Sequence, residues 1–176
     1  MGGNAMTTPK LTIRPARPDD HSVVAPLMMA TEVHYYGAPS GDWQFARSWT
    51  QDGVVDDPDA ADSALHLAFW GDRAVAYASV ALVSPSNGPR GRTLFMKELF
   101  VAESARGEGI GEAMMAYLAR LAVEKGCDRL DFTTTDINAG ARRFYARIGA
   151  REASEKVYLR LEGEALAALA SGNASS

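Results

Sequence analysis

The chain has 176 residues, 47% of them hydrophobic, enough for one globular domain with a sizeable core. A formal charge of −4 and an isoelectric point near 5.4 exclude the concentrated basic face of a nucleic-acid binder and favour small-molecule partners. The single cysteine, Cys127, excludes an internal disulfide and fits a reducing cytoplasm.

Residues 1–10 read as a flexible N-terminal tail, 11–170 as one domain and 171–176 as a flexible C-terminal tail. The opening MGGNAMTTPK has no apolar signal core, and Met6 stands where a myristoylation motif needs Ser or Thr. A cytoplasmic protein without membrane attachment is therefore expected, and no segment approaches spanning length. Leu11 to Arg14 reads as a first strand, and Asp19 or Asp20 as the N-cap of a helix reaching about Val33. HYYGAPSGD breaks that helix, and Trp43, Phe45, Trp49 and Val54 mark a second helical segment before the acidic loop DGVVDDPDAADS. Ala64 to Trp70 and Ala74 to Val83 flank a short turn and predict a hairpin. Strands follow at Thr93 to Val101, Arg129 to Thr134 and Val157 to Leu161, with helices at Ile110 to Lys125 and Ala139 to Ile148. Antiparallel strands first and a crossover helix later predict an α/β (α+β) fold with a mixed, twisted sheet covered by helices.

The turn between Val101 and Ile110 contains Gly107, Gly109 and, just inside the helix, Gly111, which let backbone approach a ligand closely. The helix that follows offers unpaired N–H groups and a positive dipole end, a combination that suits phosphate or pyrophosphate. It is not a Walker A loop, and Glu112 occupies the third glycine position of a G-x-G-x-x-G register begun at Gly107. On spacing alone, a structural turn whose glycines permit tight helix packing stays open.

Arg106-Gly107-Glu108-Gly109-Ile110-Gly111 resembles the pyrophosphate loop, Arg/Gln-x-x-Gly-x-Gly/Ala, of the GNAT superfamily of N-acetyltransferases. DINAGARRFYARIGA, Asp136 to Ala150, is similar to that family's asparagine, Phe-Tyr and Gly-Ala segment, and LTIRPARPDD to its opening strand. The resemblance covers residues 11 to 162. It implies a GNAT fold, with a twisted central sheet of about six to seven strands flanked by about four helices, and acetyl-CoA as acetyl donor. Backbone from Gly107 through Glu108, Gly109, Ile110 and Gly111 to Glu112 would cradle the pyrophosphate, with Arg106 supporting the loop. The strand before the turn and the one after its helix would splay, and Leu99, Phe100 and Val101 would offer backbone partners to pantetheine. Asn138 and Ala141 would line the cofactor arm.

The residues themselves leave alternatives. Asn138 is also a good helix N-cap. Tyr145 shares a helical face with Ala141 and Ile148 as a core aromatic would, whereas the resemblance makes its hydroxyl the acid that protonates the departing thiolate. Glu98 interrupts an apolar strand and, by simple alternation, shares a face with Met96 and Phe100. It is either a base for the attacking amine or a carboxylate held by a salt bridge or solvent. His34, Tyr35 and Tyr36 stand where family members build the acceptor pocket, with Glu98 as a further substrate contact. His21, His34 and His66 show no metal-ligand spacing, so no metal is expected. Cys127, entering an apolar strand, reads as a buried structural thiol.

The implied activity is acetyl transfer to a primary amine of a small molecule, by direct attack in a ternary complex. IRPA and FYARIGA look most like the diamine and polyamine N-acetyltransferase branch. Lys97-Glu98 replaces that branch's adjacent acidic pair, which leaves a monoamine, an amino acid or an antibiotic amine open as acceptor. The other readings are a non-catalytic acyl-CoA-binding regulatory domain, or an acetyltransferase acting on a protein or peptide amine. A homodimer is the assembly the family implies, with the aromatic cluster near Trp43 as a contact.

Overall fold

The computed structural model describes residues 10–38, 63–83 and 91–172; the helix expected around Trp43 lies outside them. The chain divides into two compact units, Met1–Thr135 and Asp136–Ser176.

In the first unit a five-stranded sheet runs in the order β1-β2-β3-β4-β5: Leu11–Pro15, Ser63–Trp70, Arg73–Val83, Thr93–Val101 and Arg129–Phe132. The first three pairings are antiparallel, and β4 pairs with β5 in parallel. The β2–β3 hairpin closes through Gly71, whose φ of 62° belongs to the left-handed region that glycine enters without strain. Helix α1, His21–Tyr36, packs Val24 and Leu27 against Leu65, Leu67, Phe69, Tyr77 and Phe100 on one sheet face. Helix α2, Ile110–Glu124, buries Ile110, Met114, Met115, Leu118 and Ala122, a stripe at helical spacing. It covers the opposite face, where Tyr117 meets His66, because His66 alternates with Leu65 and Leu67 along β2.

Asp20 stands at the start of α1 but does not cap it. Its carboxylate instead accepts two hydrogen bonds from the Arg14 guanidinium, at 2.6 and 2.8 Å, and one from the Arg17 backbone N–H at 2.7 Å. This fork ties β1 to the helix entry, and Arg14 also lies over the Phe69 ring. Helix α1 runs one turn beyond Val33, to a left-handed Gly37 at φ 78°.

The second unit contains α3, Ala139–Arg147, and α4, Gly163–Ala170, the latter not foreseen in the sequence. Val157 to Leu161, expected as a strand, forms none, and Val157, Tyr158 and Leu159 are exposed. A strand exists only as part of a ladder, and among the described residues this unit holds no other strand. Among the described residues the sheet thus has five strands rather than six or seven, and each unit holds two α-helices.

Candidate functional site

The site begins where β4 and β5 part. Their parallel pairing runs from Thr93 with Arg129 to Met96 with Phe132 and stops there, while β4 continues to Val101. Along that stretch Ala102 donates to the Val75 carbonyl at 2.8 Å, and Val101, Phe100 and Leu99 oppose Ala76, Tyr77 and Ala78. Backbone groups alternate in direction along a strand, so Phe100 turns its N–H and C=O toward β3, whereas Leu99 and Val101 turn theirs to the open edge. Leu99 and Val101 can therefore offer backbone partners there, and Phe100 contributes a buried ring.

The glycine turn follows at the end of the same strand. A 3-10 turn, Glu103–Ala105, seats the buried Ala105, and the Arg106 side chain reaches back so that its Nε donates to the Val101 carbonyl at 3.1 Å. Arg106 thus braces the loop. Gly107 and Gly109 have φ of 83° and 75°, and a Cβ on either would meet nothing within 4 Å. These glycines serve a left-handed backbone bordering open space, and the tight-packing account of them fails. Gly109 is the N-cap of α2 and provides no side-chain cap, and the first intrahelical bond is Ala113 N–H to the Gly109 carbonyl at 3.0 Å. The N–H groups of Ile110, Gly111 and Glu112 thus precede the helical ladder at the positive end of the dipole. Glu108 and Glu112 are exposed to solvent. An uncapped helix end, a backbone without side-chain obstruction and an unpaired strand edge together fit a pyrophosphate joined to an extended chain.

Glu98 lies one face away from where simple alternation puts it relative to Met96. A bulge between Ser79 and Val80 pairs Glu98 with Ser79 and Met96 with Val80, leaving Lys97 as the extra residue. Met96 is thereby buried on the α2 face, while Glu98 joins Phe100 and Tyr77 on the α1 face. Glu98 accepts a hydrogen bond from the Tyr77 hydroxyl at 2.8 Å. The half-buried carboxylate is thus held by a buried tyrosine, a partner the sequence reading did not name.

His34, Tyr35 and Tyr36 form the last turn of α1 instead of a loop between helices. The His34 ring stands 5.1 Å from Tyr35 and 6.3 Å from Phe100, and the Tyr36 ring lies tilted against Tyr35 at 6.4 Å. Burial, and then the Glu98 charge, push the Tyr35 phenol above its usual range. The end of α1, Glu98 and Phe100 on β4, and Arg106 of the turn, which lies 5.8 Å over the Phe100 ring, are thus one neighbourhood. Sequence reasoning missed Tyr77. The signal was an aromatic with a polar atom inside AVAYASV, since a buried tyrosine needs a hydrogen-bond partner.

Within the second unit, Asn138 caps α3, its Oδ1 accepting from the Ala141 N–H at 3.0 Å. Ala141, Phe144, Tyr145 and Ile148 are all half-buried, as one helical face requires, and the Phe144 and Tyr145 rings are 5.1 Å apart. Cys127 is half-buried just before β5, and burial raises its thiol above the usual range, which disfavours a nucleophile. No cluster of His, Cys, Asp and Glu fit for a metal occurs among the described residues. No described helix is long and apolar enough to cross a membrane.

The model of the acetyltransferase (GNAT) family matches residues 30–150. The chain belongs to the GNAT family of acetyltransferases. Among curated relatives it is 33% identical over 84 residues to the thialysine N-epsilon-acetyltransferase of Bos taurus, which is 46% of this chain and 49% of that one. It is 32% identical over 75 residues to an L-ornithine N5-acetyltransferase of Arabidopsis thaliana, 43% of this chain and 33% of the relative. These matches span half or less of either relative. A solved integron cassette protein from the mobile metagenome of V. cholerae shares 29% identity, with a TM-score of 0.79 over 91% of this chain and 97% of that one.

Proposed function

We propose that the chain transfers the acetyl group of acetyl-CoA to a primary amine of a small molecule, by direct attack within a ternary complex. The observation that carries this reading is the uncapped, glycine-lined start of α2 beside the open edge of β4. GNAT membership and two relatives named for amino-acid acceptors support it.

Acetyl-CoA supplies an activated thioester. The backbone from Gly107 to Glu112 holds its pyrophosphate, and Leu99 and Val101 hold the pantetheine arm as a further strand would be held. An alkylammonium of pKa about 10.4 must lose a proton before it attacks, at a cost of about 5 kcal/mol at pH 7. Glu98 takes that proton, directly or through a water, and the aromatic turn His34-Tyr35-Tyr36 contacts the acceptor. Tyr145, with a phenol suited to donate to a thiolate of pKa about 8.5, supplies the proton that turns the leaving group into free CoA. Asn138 supports the cofactor arm through the amide atoms not used in capping. The two units act as the single domain 11–170, in the cytoplasm and as a homodimer.

A free-thiol release assay with acetyl-CoA and a panel of amines, including amino-acid side-chain amines, tests the reading. Thiol release that depends on the amine supports it. CoA binding without release would leave a regulatory acyl-CoA-binding domain, and release only with peptide amines would move the acceptor to proteins.

A further inference from the structure

Tyr77 is the most deeply buried polar group next to the proposed base, 2% exposed, and its hydroxyl has two contacts: Glu98 Oε2 at 2.8 Å and Thr31 Oγ1 at 3.1 Å. Thr31, itself buried on α1, donates its own proton to the Leu27 carbonyl at 2.9 Å. At Tyr77 it therefore acts as an acceptor, so one phenolic proton is contested by a hydroxyl oxygen and a carboxylate. The shorter bond, and the charge of the carboxylate, favour Glu98.

We propose that Tyr77 is a positioning residue for acetyl transfer: its buried hydroxyl fixes the Glu98 carboxylate through Oε2, leaving Oε1 as the oxygen that receives the proton of the attacking amine. The inference rests on the base role given to Glu98 above. The bulge at Lys97 makes the contact possible, because it brings Glu98 onto the Tyr77 face as a diagonal neighbour, two residues from the Phe100 that pairs with Tyr77. Tyr77 cannot itself exchange the proton: burial, and then the Glu98 charge, push its phenol far above the usual range, so it stays a donor throughout the working pH. Among the described residues, Tyr35 at the end of α1 also feels the Glu98 charge, and His34 and Arg106 lie against the neighbouring Phe100 ring. Tyr77, buried and donating at 2.8 Å, is the group that orients the Glu98 carboxylate. Thr31 couples the same hydroxyl to α1, one helical turn before Tyr35, so the acceptor-contacting end of that helix and the base share one buried anchor.

The test has a spectroscopic and a kinetic arm, both on the full chain. A proton spectrum of chain labelled selectively in tyrosine should show the Tyr77 hydroxyl as a slowly exchanging downfield resonance, assigned through its ring protons and confirmed by its loss in Tyr77→Phe. That resonance should move upfield in Glu98→Gln, where a neutral amide replaces the carboxylate. It should move further downfield in Thr31→Val, which removes the competing acceptor; these two variants decide the question even if Tyr77→Phe does not fold. In thiol release, Tyr77→Phe should lower kcat about tenfold with unchanged CoA affinity. The double variant Tyr77→Phe with Glu98→Gln should lose no more than Glu98→Gln alone. A hydroxyl resonance indifferent to Glu98→Gln, or losses that multiply in the double variant, would overturn the positioning role while leaving acetyl transfer intact. Absence of turnover by the wild-type chain with every amine would overturn acetyl transfer, and the positioning role with it.

Discussion

Replacing Gly109 by aspartate separates a ligand-binding turn from a structural one. At φ 75° any L-residue is strained, by about 1–2 kcal/mol, and since a Cβ there meets nothing within 4 Å no clash adds to that cost. For a chain of this size the penalty lowers Tm by about 2–8 °C, so the variant should fold. Binding suffers far more. One added carboxylate about 5 Å from one phosphate charge, at an effective dielectric of about 20, is repelled by about 3 kcal/mol, roughly 200-fold in affinity. CoA at 100 times its wild-type Kd should stabilise the wild-type chain by about 2.7 kcal/mol and the variant by almost nothing. Gly126→Asp is the control: it has φ 68° and equally open space, but follows the other end of α2. It should lose comparable stability and keep the CoA-induced shift. A folded Gly109→Asp protein with the wild-type shift, or a control that loses it equally, would refute the pyrophosphate cradle.

Tyr145→Phe deletes only a hydroxyl, so CoA should still bind while the maximal rate falls by roughly 10² when chemistry is limiting; a wild-type rate would return the tyrosine to a packing role. The Glu98→Gln defect should shrink as rising pH deprotonates the free amine, and a defect equally large at pH 7 and pH 10 would make Glu98 an orienting group only. His66 is buried on the α2 face with Nδ1 3.0 Å from the Tyr117 hydroxyl, and burial, aided by the Lys125 charge, pulls its pKa down to about 4. Its folded pKa lies below the unfolded value of about 6.5, so the unfolded chain binds the proton first, and stability falls as pH drops from about 6.5 to 4. The loss should reach about 3 kcal/mol. Urea melts at pH 7 and pH 4.5 should show a smaller pH dependence in His66→Gln, and equal pH dependence in both proteins would contradict the assignment.

Local chemistry made much of this legible in advance. Thr93 to Val101 and the start of α2 at Ile110 were readable because an apolar run meets a glycine-rich turn and then a helical stripe, each signal confined to a few residues. The α1 boundary was misjudged because HYYG looks like a breaker, although only Gly37 terminates the helix. The Lys97 bulge could not be read from one strand, since it is a property of the β3–β4 pairing, and it undid the simple face assignment of Met96 and Glu98. The same non-local cause hid Tyr77, whose partners lie on α1 and β4, distant in sequence. The alternation in KVYLRLE suggested a strand, but alternation supplies only one side of a ladder.

The most direct measurement of the central claim is mass-spectrometric detection of the acetylated amine, quantified against free CoA thiol, with purified chain, acetyl-CoA and a panel of small primary amines. Acetyl transfer to a small amine predicts at least one acceptor that gains one acetyl group per thiol released, with turnover lost in Gly109→Asp. Saturable CoA binding with no acetylated amine from any member of the panel would contradict it.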